Sequence, residues 1–553
     1  MPEESDSNEN VSPEEPDAIQ APSPASIITP GSESKPEPVE EVALNQAKAP
    51  KKRRGLKLFI CLLVIVLIAA GGAYGYHRHR DNQKKVAASQ SKTVQHLSVA
   101  ISGGDMGDAL YPNSEDTDGA NLVSAQMFDG LVRYEDQNKL VPDLASGWTN
   151  PTDNTWLFTI KSGIKFHDGH TLTPADVKYT LDLVKSQDST YAQDYASTIQ
   201  SVDLVGANQV KITTAQPDPA LLNKLTFLYI IDQNLPKGDE PSLAGTGAYE
   251  IKPGTTPTHT HMEMVAFNGY HGGTVYTKAL SIYDVNTVAD LLTGFKNHTY
   301  DLIGEVPSNQ AKPAGSYTYT ENDDSVFYLG FNTTTGPLSN KLVRQAIRYA
   351  VNPTVVGKAI GEEVTPLSQL IPPSIPGYNP SIMPYTQNIA KAKQLLTQAG
   401  YPNGLTLQFT YNDSSGEAKT VINQLEQVGI TVTPDYQSDF DNFINKYLDG
   451  QGQIFSLGYN SSTLDGADIF QSTLPPANYN NSQFTNLVSK AADTVDPAAR
   501  LKLLQQAGTI VDQDAAVVPF SYTDHQWLMN KPYVLHQDLP AIYTSVYFYK
   551  VHL

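Results

Sequence analysis

The stretch that decides the fold is PDLASGWTNPTDNTWLFTIKSGIKFHDGHTLTPADVKYTLDLV, residues 142–184. Trp156, Phe158 and Ile160 lie at every second position, and this period of two predicts a β-strand with one buried face. Asp168–Gly169 then predicts a tight turn, because glycine accepts the positive φ that such turns require. The first part of the stretch therefore predicts a strand followed by a turn.

The second part of the stretch predicts a capped helix. Thr173 suits the N-cap and Pro174 suits the first helical position, while Asp176 places a carboxylate near the positive end of the helix. Apolar residues then recur at the spacing i, i+4, i+7 of one helical face. These residues are Val177, Leu181 and Val184.

The turn also carries three residue types that bind metals or transfer protons, namely His167, Asp168 and His170. Adjacent residues on a strand diverge, so a metal or acid–base site would need distant partners, and the sequence identifies none. No H-E-x-x-H, G-x-S-x-G or phosphate-loop pattern supports an enzyme. We interpret these residues as a structural turn, and we predict no catalytic residue, no metal ligand and no cofactor. A metallohydrolase using His167 and Asp168 is the disfavoured alternative.

The composition excludes several classes of function. The chain has 553 residues, a net charge of −20 and 40% hydrophobic residues, so it is long enough for more than one structural unit. Nucleic-acid binding requires clustered basic residues, which the chain lacks beyond residues 48–57. The single cysteine, Cys61, excludes an intrachain disulfide.

The N-terminal part of the sequence predicts a membrane tether. Residues 1–54 are rich in Pro, Glu and Ser, and we expect a disordered, acidic cytoplasmic tail. Residues 55–76 contain an uncharged apolar run long enough for one transmembrane helix, preceded by a basic cluster that favours a cytoplasmic N-terminus. A polar linker follows over 77–93, and globular composition extends over 94–553. The alternative to an uncleaved anchor is a cleaved signal peptide.

The deciding stretch resembles the signature of bacterial extracellular solute-binding proteins of family 5, the oligopeptide, dipeptide and nickel group that serves ABC importers. The resemblance continues through GTGAYEIKPG (245–254), residues 327–353 and residues 388–404. The matching positions in the first stretch are Pro142, Leu144, Ala145, Trp148, Phe166, His167, Asp168, Gly169, Asp176 and Val177.

The resemblance implies an α/β, two-lobed fold of the periplasmic-binding-protein type (type II, cluster C-like), with mixed sheets and a hinge. It places the first lobe at about 94–332 plus 516–553 and the second lobe at about 333–515. The implied function is non-enzymatic: a membrane-tethered, extracellular binding protein captures oligopeptides or dipeptides between two closing lobes. Its implied partners are the permease and ATPase subunits of an ABC importer, and we expect the binding protein to be a monomer.

The resemblance also implies ligand-binding residues. In peptide-binding relatives an aromatic residue stacks on the ligand, and an aspartate three positions later pairs with the peptide amino terminus. Tyr459 stands at the aromatic position, but Ser462 stands at the aspartate position, and Asp465 lies three residues further on. Recognition of a free amino terminus is therefore left open. The other predicted ligand-binding residues are Asn460, Tyr522, Asn332 and Tyr111.

Two alternatives remain within the same fold. The cleft suits a non-peptide ligand such as a nickel chelate, haem or a sugar as well as a peptide. The acidic tail is also compatible with a tethered ligand sensor, although a simple solvating tail is the preferred interpretation.

Overall fold

The computed structural model describes most of residues 92–553. Within that range the segments left undescribed are 107–111, 114–116, 136–138, 187–190, 235–243, 308–309, 323–324, 361–366, 413–415, 462, 522–523 and 536–545. The predicted tail, the predicted anchor at 55–76 and nearly all of the linker lie outside the described residues. Of the helices in the described ranges, none is both long and apolar enough to cross a membrane.

Helices and strands alternate along the described chain. The helices are α1 (Asp118–Met127), α2 (Pro174–Ser186), α3 (Tyr191–Ala196), α4 (Leu221–Lys224), α5 (Val288–Lys296), α6 (Lys341–Ala350), α7 (Pro353–Ile360), α8 (Ile389–Gln398), α9 (Glu417–Glu426), α10 (Phe440–Leu448), α11 (Gly466–Thr473), α12 (Ser482–Ala492) and α13 (Pro497–Asp514). The strands are β1 (Leu97–Ser102), β2 (Val132–Glu135), β3 (Lys139–Pro142), β4 (Ala145–Thr152), β5 (Thr155–Ile160), β6 (Ile199–Val205), β7 (Gln209–Thr214), β8 (Tyr249–Ile251), β9 (His261–Ala266), β10 (Ala279–Val285), β11 (Leu302–Pro307), β12 (Tyr317–Asn322), β13 (Ser325–Phe331), β14 (Leu405–Tyr411), β15 (Ile430–Tyr436), β16 (Ile454–Asn460), β17 (Val517–Ser521) and β18 (Asp524–Met529).

The predicted strand, turn and helix are confirmed. In β5, Trp156, Phe158 and Ile160 are buried, and the intervening residues are less so. The turn follows, with Gly169 at a φ of +93°. The helix α2 begins at Pro174, as predicted, and its three apolar positions are all buried.

The start of α2 is fixed by the side chain of Asp176. Asp176 Oδ2 accepts hydrogen bonds from the Thr173 backbone N–H and hydroxyl, each at 2.7 Å. This is the backward half of a capping box, in which the third helical residue satisfies the N-cap donor. Asp176 is buried, and its Oδ1 accepts from the Gln233 N–H at 3.2 Å, so the cap also ties the start of the helix to the segment around Gln233.

Three sheets and a ribbon organise the described chain. A mixed sheet has the order β12-β18-β11-β1-β10-β9-β8, and an antiparallel sheet has the order β4-β5-β7-β6. The strands β2 and β3 pair as a short ribbon. We call this part the first lobe. The second lobe is built on a mixed sheet with the order β15-β14-β16-β13-β17 and the helices around it.

The sheets divide the chain at different points from those predicted. β13 pairs with β16 and β17, so it belongs to the second lobe, although the predicted boundary at 332 assigned it to the first. β17 belongs to the second lobe for the same reason. β12 and β18, which flank these strands in sequence, pair with each other in the first lobe. Asn322 thus ends a strand of the first lobe and Ser325 begins one of the second, whereas Ser521 ends a strand of the second lobe and Asp524 begins one of the first.

Candidate ligand-binding site

The candidate site lies where β16 runs into α11 in the second lobe. Tyr459 is the penultimate residue of β16, opposite Val326 of β13. The Tyr459 ring is half-buried, and its hydroxyl donates to Asp468 Oδ2 at 2.9 Å. Burial and the adjacent charge of Asp468 raise the pKa of Tyr459, so its hydroxyl remains a proton donor at neutral pH. The predicted aromatic residue is thus held over the first turn of the helix.

A second hydroxyl converges on the same carboxylate. Thr463 Oγ1 also donates to Asp468 Oδ2 at 2.9 Å. Asp468 occupies the first turn of α11, where the aligned backbone N–H groups favour negative charge. No basic side chain of the described part of the chain forms an ion pair with Asp468. It is therefore a half-buried carboxylate held by neutral donors alone.

Asp465, predicted to bind ligand, has a different set of partners. Its Oδ1 accepts from the backbone N–H groups of Ala467 and Asp468 and so caps α11. Both oxygens also contact Arg500, at 2.8 Å for Oδ1 and 2.7 Å for Oδ2. With 6% of its side chain exposed, Asp465 serves as a buried helix cap and ion-pair partner, and its predicted role in ligand binding stays a prediction.

The loop that joins Tyr459 to α11 touches the first lobe. The carbonyl oxygen of Thr463 accepts hydrogen bonds from Asn223 Nδ2 at 2.6 Å and from the Tyr134 hydroxyl at 3.4 Å. Asn223 belongs to α4 and Tyr134 to β2, both in the first lobe. The loop beside Asp468 is thus a point at which the two lobes meet.

A cavity of about 140 Å³ lies at this contact. Its walls come from both lobes: Asp218, Pro219, Ala220 and Lys224 on one side, and Thr463, Asp465, Ala467, Asp468, Gln471, Ala492 and Arg500 on the other. The volume is smaller than the several hundred cubic ångströms of a drug-sized pocket and fits one end group of a longer ligand.

One of the carboxylates in the cavity wall has no cationic partner among the described residues. Asp218 pairs with Lys224 at 2.8 Å, and Asp465 pairs with Arg500. Asp468 is the remaining charged residue in the wall. A half-buried carboxylate without a cation favours a positively charged ligand group, because a charge-assisted hydrogen bond is stronger than a neutral one. The cavity therefore suits an ammonium or guanidinium group.

The other predicted site residues lie elsewhere or outside the described residues. Asn332 lies beyond the opposite end of β13 from Tyr459, and its side chain donates to the Gly450 carbonyl and accepts from Thr334, so it shapes a loop. Asn460 is exposed at the end of β16. Tyr111, Ser462 and Tyr522 lie outside the described residues, so their predicted roles stay predictions.

Sequence reasoning missed Asp468. The signal was present in the run Asp-Gly-Ala-Asp at 465–468, because a helix capped by Asp465 places Asp468 at its third position. Proximity to Tyr459 depends on how β16 and α11 pack, and the sequence pattern does not encode that packing.

Both ring nitrogens of His167 form hydrogen bonds with the protein backbone. Its Nδ1 accepts from the Gly245 N–H at 3.2 Å, and its Nε2 donates to the Gly247 carbonyl at 3.1 Å, the pattern of the Nε2–H tautomer. The ring also packs edge-on against Phe267, with centroids 4.8 Å apart. His167 therefore fastens the turn to the loop at 245–247, as the structural interpretation predicted.

Comparison with known proteins gives consistent matches over most of the chain. The model of bacterial extracellular solute-binding proteins, family 5, matches residues 139–481, more than half of the chain. The glutathione-binding protein GsiB of Salmonella paratyphi A is 27% identical over 470 residues, which cover 78% of this chain and 90% of GsiB. GsiB of Escherichia coli K12 is 28% identical over 456 residues, which cover 76% and 88%.

Solved structures share the fold. HbpA2 from Haemophilus parasuis superposes with a TM-score of 0.74 at 22% identity, covering 83% of this chain and all of HbpA2. The periplasmic binding protein DppA from Helicobacter pylori, in complex with the peptide STSA, gives 0.64 at 22% identity, with 84% and 99% covered. The unliganded open form of the murein tripeptide binding protein MppA gives 0.73 at 21% identity, with 84% and 99% covered.

Proposed function

Because the chain belongs to the bacterial extracellular solute-binding proteins of family 5, a family of non-enzymatic binding proteins of ABC importers, we propose that its ligand is a peptide. The protein captures oligopeptides or dipeptides between its two lobes and delivers them to a permease. Its relatives support this choice, since they include proteins named for glutathione binding and a protein solved with a bound peptide.

The observation that carries the proposal is the uncompensated carboxylate of Asp468 at the contact between the lobes. A peptide brings an α-ammonium group at one end, and Asp468 supplies an anionic partner for it. The hydroxyls of Tyr459 and Thr463 orient the carboxylate and leave its other oxygen for the ligand. Asp468 thus takes the role that the family resemblance would assign to position 462, where this chain has serine.

Closure of the lobes accompanies binding in this proposal. Asn223 and Tyr134 hydrogen-bond the carbonyl of Thr463 across the interface, and Thr463 also contacts Asp468. A ligand held by Asp468 therefore adds contacts to the state in which the lobes meet, and such differential binding shifts the open–closed equilibrium toward that state. The permease recognises the closed, loaded form.

The protein is tethered to the cell membrane in this proposal. Residues 55–76 form a single-span anchor, the acidic tail at 1–54 lies in the cytoplasm, and the binding domain lies outside the cell. Intact-mass measurement of the membrane-bound protein tests the tether. A mass that includes residue 1 supports it, whereas a mature N-terminus near residue 74 contradicts it.

Thermal unfolding of the full chain tests the ligand class. The protein is heated with dipeptide and oligopeptide pools, with glutathione, and separately with a nickel chelate, haem and sugars. We expect peptides to raise the melting temperature, because a ligand at one hundred times its Kd stabilises the native state by about 2.7 kcal/mol. A rise with one of the non-peptide ligands and with no peptide would overturn the proposal.

A further inference from the structure

The turn at 166–170 presents a second histidine, His170, at the protein surface. The backbone N–H of Phe166 donates to the His170 carbonyl at 3.0 Å, and Lys165 bridges to Thr171, so the turn is a closed hairpin. Whereas His167 faces the protein backbone, 57% of the His170 side chain is exposed. Asp168 Oδ1 accepts from the His170 N–H at 3.0 Å and fixes the relative placement of these two side chains.

A third chelating group reaches the turn from a distant part of the chain. The side chain of Asp232 is fully buried, yet its Oδ2 lies 2.7 Å from His170 Nδ1. Its Oδ1 accepts from both the backbone and the side-chain nitrogen of Asn234, at 2.7 and 2.8 Å. One oxygen is thus held by Asn234, and the other is hydrogen-bonded to the imidazole.

The three groups have the spacing of metal ligands. His170 Nδ1 lies 2.7 Å from Asp232 Oδ2 and 3.1 Å from Asp168 Oδ2, and all three ligand atoms lie within 4.8 Å of one another. Around an ion with bonds of ~2.1 Å, neighbouring ligands lie ~3.0 Å apart in octahedral and ~3.4 Å apart in tetrahedral geometry. Small side-chain rotations therefore suffice to admit an ion between them.

We propose that Asp168, His170 and Asp232 bind one divalent transition-metal ion of the zinc, cobalt or nickel class. One imidazole nitrogen and two carboxylate oxygens form a donor set that these ions prefer, whereas calcium and magnesium favour oxygen donors alone. Binding places the metal on Nδ1 and releases any proton carried there to solvent. Exposure of the ring leaves further coordination positions to water.

A second cluster of possible metal ligands is less accessible to an ion than the cluster around His170. Asp129, Asp143 and His271 also converge in the first lobe, but both aspartates are buried and only 9% of the His271 side chain is exposed. Arg133 also occupies Asp143 Oδ1 at 2.6 Å. At the His170 group the described residues provide no cationic partner for either carboxylate other than the imidazole itself. The proposed metal site is also separate from the ligand cavity, because none of its residues lines that cavity.

Metal titration of the full, untagged chain tests the proposal. Zinc binding is followed by calorimetry, and cobalt binding is followed by its visible absorption spectrum, in the wild type and in His170→Ala. We expect the wild type to bind one more equivalent of metal than His170→Ala does, or to bind the same equivalent more than about tenfold more tightly. Loss of an outer-shell partner already weakens metal binding by about tenfold or more, and loss of a direct ligand should weaken it at least as much.

His259→Ala is the matched control. His259 is an exposed histidine 3.5 Å from Asp105, and among the described residues it belongs to no group of three chelating side chains. This variant should bind metal as the wild type does. Equal stoichiometry and affinity in the wild type and His170→Ala would overturn the proposal. Far-ultraviolet circular dichroism of each variant distinguishes loss of the metal site from loss of the fold.

Asp232→Asn is a second test. It removes the carboxylate that faces His170 but keeps an oxygen that accepts from Asn234, and we expect it to weaken metal binding as well.

Discussion

At the scale of single residues, two buried charges, those of Asp465 and Arg500, are matched to each other. Asp465 and Arg500 expose 6% and 10% of their side chains and contact each other through both carboxylate oxygens. Arg500 Nε also donates to the Ala491 carbonyl. The pair joins the start of α11 to α13 and α12, so it sets the position of the helix that carries Asp468.

Removing one member of this pair should be costly. Asp465→Ala leaves the guanidinium of Arg500 buried without its anion and also removes the cap of α11, so we expect a loss of ~3–5 kcal/mol in the free energy of unfolding. The control is Asp182→Ala, which breaks an exposed pair with Lys178 (44% and 42% exposed) and should cost less than about 1 kcal/mol. Urea unfolding measures both, and equal losses would contradict this account of the buried pair.

A buried cluster in the first lobe makes stability depend on pH. His271 Nε2 lies 3.0 Å from Asp129 Oδ2. Burial lowers the pKa of His271, and the charge of Lys161 lowers it further. The hydrogen bond to Asp129 and the negative charges of Asp129 and Asp143 raise the pKa by more, so it is raised overall. Burial and the charge of Asp129 raise the pKa of Asp143 to about 6, although Arg133 opposes this. Burial raises the pKa of Asp129, but the hydrogen bond and charge of His271 outweigh burial and lower it. Above pH ~4 the native state therefore binds more protons at this cluster than the unfolded chain does.

The free energy of unfolding should consequently fall as the pH rises above ~6.5. A raised histidine pKa contributes stability that is complete below the unfolded value of ~6.5 and is lost as the pH passes through the folded value. The raised pKa of Asp143 acts in the same direction at lower pH, between ~4 and 6. His271→Gln should flatten the change above pH 6.5 in unfolding measurements. An unchanged pH dependence in this variant would contradict the assignment.

At the scale of elements, local sequence patterns predict the helices and strands whose buried face depends only on their own residues. β5 and α2 match their predicted buried faces, and α8 buries Ala392, Leu395 and Leu396, which have the i, i+3, i+4 spacing of one helical face. The lobe membership of β13 and β17 was not predictable, because their strand partners are distant in sequence and an apolar strand fits either sheet. Asp468 was not predicted for the same reason. Its contact with Tyr459 depends on how α11 packs against β16, and the local sequence does not determine that packing.

The loop between α8 and β14 gives an element-scale prediction. Gly400 and Gly404 have φ values of +94° and +87°. A Cβ at Gly400 would meet nothing within 4 Å, whereas a Cβ at Gly404 would lie 2.1 Å from the Gly429 carbonyl oxygen, where β15 begins beside β14. We expect Gly400→Ala to cost ~1 kcal/mol for its backbone conformation and Gly404→Ala to cost a further ~1–3 kcal/mol for the clash.

Chemical unfolding of the two glycine variants measures this difference. Because both substitutions add one methyl group at nearly the same φ, the difference between them isolates the contact with the Gly429 backbone. Equal losses in unfolding free energy would show that this contact does not limit the pairing of β14 with β15.

At the scale of the whole molecule, the chain crosses between the lobes twice, and the lobes meet where Asp468 lies. The two crossings, beside β13 and β17, leave the lobes connected through neighbouring strands of one sheet. The bonds from Asn223 and Tyr134 to the Thr463 carbonyl form across the interface beside the cavity. This arrangement suits a binding protein whose ligand completes the contact between the lobes.

The most direct test of peptide capture by Asp468 is calorimetry with one peptide in free and N-acetylated forms. The wild type should bind the free form about thirtyfold more tightly, which corresponds to the ~2 kcal/mol of a partly buried charge pair. Asp468→Asn should lose that preference, whereas Asp441→Asn, which changes an aspartate in the first turn of α10, should keep it. If the wild type binds both forms equally, or if Asp468→Asn weakens both equally, recognition of the amino terminus by Asp468 is contradicted.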